Sequence, residues 1–158
     1  MYRASTSNVP PEVQNAVIAA ANEAERFIRR FFYALDNSQT SSSSPVLSYL
    51  VPDAAIVWTG TPIQGRDAFA QIIATGLPAG GKHDISSLDV HPLDANGQAV
   101  VSVSGRSKIG AERGQNQFGF AAVLRLVRDM SPGASAGDVL ISSLSYRYTF
   151  RPDDATVI

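Results

Sequence analysis

Arg147 sits between Tyr146 and Tyr148 in the strand-like run that follows Leu144, and its side chain has the most definite chemistry in the chain. Two-residue alternation groups it with Ser143, Ser145 and Thr149, and sends Leu140, Leu144, Tyr146, Tyr148 and Phe150 to the other face. A guanidinium on a row of small polar residues is not a core arrangement. It suits either open solvent or a second surface that offers a carboxylate. A desolvated arginine–carboxylate pair fixes register and specificity more surely than it adds affinity. Ser143, Ser145, Arg147 and Thr149 are therefore the candidate positions for a partner interface.

Acid–base chemistry needs a carboxylate or histidine in an apolar cavity, with a tyrosine or aspartate donor near it. The best set available is Tyr33 and Asp36 at the end of the first helix, with His83 or Asp84 from the sheet. Asp36 reads equally well as a helix end, and Asp84 lies beside polar Lys82 and His83 near a turn. No catalytic residue is assigned. His83 and His91 fall in one extended segment, about 26 Å apart, which is too far for shared coordination, and each reads as a surface or strand-end histidine. With no cysteine in the chain, no metal site is assigned. Trp58 reads as a core residue, and so do most of the sheet aromatics. Basic residues gather at Arg26, Arg29 and Arg30, and again at Arg106, Lys108 and Arg113. Ordinary solvated charge explains them, with Glu25 and Arg29 spaced for an ion pair. A weak auxiliary RNA contact is the alternative.

The elements that must position these residues follow from the pattern. Pro11 and Glu12 open a helix, and Val13, Val17, Ala20, Ala24, Phe27, Ile28, Phe31 and Leu35 recur at helical spacing as far as Asp36. A serine-rich loop spans 37–44, and Val46, Leu47, Tyr49 and Leu50 form a short helix closed by Pro52. The strand Ala55–Trp58 turns through Thr59-Gly60-Thr61-Pro62 into Ile63-Gln64-Gly65, and a helix runs over about 66–77. Beyond the PAGGK turn the pattern is strand: 85–93, a hairpin at Asp94-Ala95-Asn96-Gly97, then 99–109, 118–126 and the last strand. Loops fall at 110–117 and 131–137. This is an α+β order, with helices packed on one side of a bent sheet.

The chain of 158 residues carries a net charge of -1 and 17% charged residues, which argues against a general nucleic-acid binder. It has no disulfide framework and no thiolate chemistry, which fits an intracellular protein. Residues 1–10 read as a disordered lead-in without a signal-peptide core, ahead of one domain over 11–158, and no apolar run approaches a membrane span.

Three segments carry a family resemblance: Glu25-Arg26-Phe27-Ile28-Arg29-Arg30-Phe31-Phe32-Tyr33-Ala34-Leu35-Asp36, Leu50 to Gly65, and Leu144-Ser145-Tyr146-Arg147-Tyr148. Together they resemble the nuclear transport factor 2-like family, and within it the small subunits of the nuclear mRNA export receptor (the mRNA transport regulators). The resemblance implies a cone-shaped, strongly bent antiparallel sheet around a long N-terminal helix and two shorter helices. It also implies a non-enzymatic role without a cofactor, in a heterodimer with a similar domain of the large export receptor. The pair would carry messenger ribonucleoprotein through the nuclear pore, touching phenylalanine–glycine nucleoporins, and would shuttle between nucleus and cytoplasm. The family's last-strand arginine, which pairs with a partner carboxylate, matches Arg147. Phe118-Gly119-Phe120-Ala121-Ala122-Val123-Leu124 departs from the family by lacking a glutamine. Enzymes of the dehydratase and isomerase type and homodimeric carriers share the fold and are the alternatives.

Overall fold

Proline at the start of the long helix and asparagine at its end set its limits. Helix α1 runs Pro11–Asp36, with Pro11 at a position where its missing N–H costs nothing. At the far end the Asn37 side-chain amide donates to the Tyr33 carbonyl at 2.8 Å and satisfies one of the last free acceptors. The structure, a computed structural model, describes residues 8–38, 45–75, 82–108 and 117–149. Most of the 1–10 lead-in, the serine-rich loop from residue 39, Leu77 with the turn after it, residues 110–116 and Phe150 lie outside the described residues.

Six strands follow in one sheet: β1 (Leu50–Trp58), β2 (Thr61–Gln64), β3 (Lys82–Pro92), β4 (Ala99–Lys108), β5 (Gln117–Arg128) and β6 (Val139–Tyr148). Their order is β2-β1-β6-β5-β4-β3. A 3-10 helix over Pro45–Tyr49 precedes β1, and helix α2 (Arg66–Thr75) follows β2. The α+β class and the curved sheet expected from the sequence hold. Every pairing is antiparallel except that of β1 with β6, which is parallel.

The β1–β2 hairpin closes through Thr59 and Gly60, both at positive φ (48° and 87°), so the two-residue turn matches the twist of its strands. Pro62 occupies edge strand β2, where a missing donor is tolerated. Gly65 then turns the chain into α2 at φ 90°, its N–H donating to the Ala54 carbonyl. Pro52 does not close a helix as expected but lies inside β1. The ladder to β6 is irregular between Leu50 and Ala55, so a residue without an N–H fits there.

One face of the sheet packs on the helices. Ala24, Ile28, Phe31, Phe32 and Leu35 of α1 meet Trp58, Phe69, Phe120, Leu124, Leu144 and Tyr146 in a single buried cluster. Along the expected apolar stripe of α1, Val13 is exposed, Val17 and Ala20 are half-buried, and full burial begins at Ala24. A break in the β5–β6 register at Arg125/Leu126 shifts the alternation, so that Ile141 is buried in place of the expected Leu140.

Gly105 sits opposite Ile85, beside the register break between Ile85 and Ser87, and a Cβ there would lie 2.0 Å from the Asp84 carbonyl oxygen. Gly105→Ala should therefore force the β3 edge outward and cost about 2 kcal/mol. Urea unfolding would show this as a lower midpoint, and an unchanged midpoint would contradict it.

Candidate partner interface

The second sheet face carries no helix among the described residues, and small, charged and a few apolar side chains share it. At one level across the strands the register runs Pro62, Val57, Ser145, Val123, Ser102. Two residues toward the end of β6 it runs Arg147, Ala121, Ser104, Ser87. Ser143, Ser145 and Arg147 thus share this outer face as the alternation predicts, and Thr149 follows just past β6, its N–H bonded to the Gly119 carbonyl at 2.8 Å. Arg147 is exposed and forms no ion pair among the described residues.

Beside that row lies an open groove of about 420 Å³. Ala55, Val57, Pro62, Val123, Ser143 and Ser145 are among its lining residues. Val57 and Val123 flank Ser145 and stay 42% and 49% exposed. Two uncovered valines around a serine make a shallow apolar seat next to a free guanidinium. The valines escape a reading strand by strand, because only the β1–β6–β5 register brings them together.

The acid–base candidates fall on the inner side. His83 Nδ1 meets Asp36 Oδ1 at 2.5 Å, and the His83 backbone N–H donates to Asp36 Oδ2 at 2.8 Å. His83 Nε2 lies 2.7 Å from the Tyr146 hydroxyl. The histidine side chain is only 8% exposed, which corrects its reading as a surface residue. Tyr33 (71% exposed) and Asp84 stand outside this set, and Tyr146, which sequence spacing gives no reason to include, completes it. Both imidazole nitrogens are occupied. The phenol is sandwiched between Trp58, stacked at 4.1 Å, and Phe120 at 5.6 Å. Burial pushes its pKa up from the usual 10.0. The arrangement pins the end of α1 to edge strand β3 and to central strand β6, and Ser107 and Tyr148 also interact with the hydroxyl.

The α1 arginines are neutralised locally. Arg26 and Arg30 pair with Glu23 at 2.7 and 3.2 Å, and Arg29 pairs with Glu25 at 3.1 Å. The two guanidiniums at Glu23 hold its carboxyl below the usual carboxylate range. Arg113 lies outside the described residues. No group of three or more potential metal ligands occurs among the described residues, and none of their helices is long and apolar enough to cross a membrane.

Residues 18–136 match the family described as nuclear pore RNA shuttling protein Mtr2. The chain belongs to the Mtr2 family. No curated protein matches it. Among solved structures, the Candida albicans complex of Mtr2 with the Mex67 M domain aligns at 23% identity, over 86% of this chain and 99% of that one, with a TM-score of 0.62. Nuclear transport factor 2 from Cryptosporidium parvum aligns at 15% identity, over 90% and 98%, with a TM-score of 0.64. A putative scytalone dehydratase from Novosphingobium aromaticivorans reaches 0.66 at 14% identity, over 87% and 89%. These likenesses place the fold as nuclear transport factor 2-like, a scaffold that also carries enzymes.

Proposed function

We propose that the chain is the non-catalytic small subunit of a heterodimeric nuclear mRNA export receptor. It docks through the outer sheet face against the similar domain of a large, Mex67-type subunit and stabilises that domain. In this role it works in the nucleus and at the nuclear pore and shuttles to the cytoplasm. It supports passage of messenger ribonucleoprotein by shaping the surface that meets phenylalanine–glycine nucleoporins.

The observation that carries the reading is Arg147, exposed and without an ion pair among the described residues, beside the valine-flanked groove. Small residues let a second sheet approach closely, the valines supply apolar contact, and the guanidinium selects a carboxylate. Membership of the Mtr2 family and the Mex67 partner of the Candida relative support the same reading. Against chemistry in the cone stands the occupation of both His83 nitrogens and the burial of Tyr146 against Trp58.

Co-expression with the Mex67-type M domain from the same source tests the proposal. A one-to-one complex by light scattering is expected when the two chains are mixed. A chain that purifies alone as a well-behaved monomer or homodimer and ignores the M domain would overturn the reading.

A further inference from the structure

Two and three strands away from Arg147, Lys82, Arg106 and Lys108 surround an open depression of about 360 Å³ that His83, Asp84 and Gln117 also line. Lys82 and Lys108 are direct register partners across β3 and β4. Like charges directly opposite each other weaken a strand pair. None of the three cations forms an ion pair among the described residues, although Asp84 registers with Arg106. Three cations facing one carboxylate leave an excess of positive charge in a concave site.

We propose that this corner is a second, charged anchor of the heterodimer interface, and that it takes one or two carboxylate side chains from the partner domain. The inference rests on the reading under Proposed function and extends its surface beyond Arg147.

Position favours a protein carboxylate. Thr149 bonds to Gly119, Gly119 registers with Arg106, and Arg106 with Asp84, so the end of the Arg147 row and the corner lie level on one face. Arg147 registers with Ala121 and Lys108 with Gln117, which separates them by two strand spacings and four residues. That is about 16 Å. A standard interface of about 800 Å² per partner covers such a span. Charge favours the same ligand. An RNA track needs a continued run of phosphate contacts, and the α1 arginines that might extend a basic path are already paired with Glu23 and Glu25.

Charges near an interface rim act mainly on association rate and its salt dependence. Stopped-flow association with the M domain, from low to physiological salt, should separate the two anchors. The Lys82→Glu/Lys108→Glu double variant is expected to associate roughly tenfold more slowly at low salt, with a flatter salt dependence and a dissociation rate changed less than about threefold. Lys108→Gln should fall between it and wild type. A wild type that forms a complex, with a double variant matching it in association rate and salt dependence, would overturn the inference alone. So would unchanged partner kinetics accompanied by lost binding to a fluorescein-labelled oligouridylate, which would assign the corner to RNA. A wild type that forms no complex would overturn the functional reading and this inference together.

Discussion

Arg147→Glu is expected to weaken association with the large subunit by at least about a hundredfold while leaving the isolated chain folded. In the complex the guanidinium would be desolvated against a carboxylate, and removing one member of such a pair costs about 2–5 kcal/mol, since the other is left buried and unpaired. Each 1.4 kcal/mol is about tenfold in affinity. Truncation to alanine should therefore reach at least about thirtyfold, and glutamate, which opposes like charges, should exceed it. Arg147→Lys should fall between wild type and alanine, because an ammonium keeps the charge but lacks the planar fork that engages a carboxylate through two bonds. In the free chain the residue is exposed, with no ion pair among the described residues, so all three variants should melt within about a degree or two of wild type. Calorimetric titration with the M domain, beside thermal melts of the chain alone, checks both halves. An affinity for Arg147→Glu within about threefold of wild type would remove Arg147 from the interface.

What could be read in the sequence, and what could not, follows from how far apart the deciding residues lie. Helix α1 declared itself through apolar spacing and Pro11, and the β3–β4 hairpin through Asn96-Gly97. Asp94 reinforces that turn by accepting the Asn96 and Gln98 backbone N–H groups at 2.9 and 3.1 Å. Arg147, Ser145 and Ser143 could be set on one face because a period of two is local. The expected burial of Leu140 failed for a local reason of another kind. The extra residue at the β5–β6 irregularity reverses parity, and no glycine or proline marks it. The groove could not be read at all, since Val57 and Val123 meet only through β6 between them. The Asp36–His83–Tyr146 pin joins residues 47 and 63 positions apart, where neither periodicity nor spacing carries a signal.

Tyr146 shows how that inner pin bears on the outer face. Its ring is among the largest fully buried side chains, stacked on Trp58 and near Phe120, His83 and Tyr148. Tyr146→Ala should cost about 3–5 kcal/mol, because rings packed on both sides cannot close the cavity. Against a domain stability of about 5–15 kcal/mol, that approaches unfolding at growth temperature. Tyr146→Phe keeps the ring and removes only the hydroxyl. With Nδ1–H donating to Asp36, His83 Nε2 accepts the phenol proton, and its loss should cost about 1–3 kcal/mol. A pH dependence separates hydroxyl from ring. Burial raises the folded pKa above the unfolded value near 10, so the phenol adds stability that is complete below pH 10 and declines above it. Tyr148, whose pKa burial also raises, keeps part of that decline in Tyr146→Phe. Urea unfolding between pH 8 and 11 should therefore show a shallower alkaline loss for Tyr146→Phe than for wild type. Equal slopes would contradict the assignment, as would a Tyr146→Ala that loses less than about 1 kcal/mol. Because Tyr146 and Arg147 are adjacent on β6 and face opposite sides, their variants should separate cleanly. Tyr146→Phe should lower the melting temperature and keep partner affinity where the chain is folded, whereas Arg147→Glu should do the reverse.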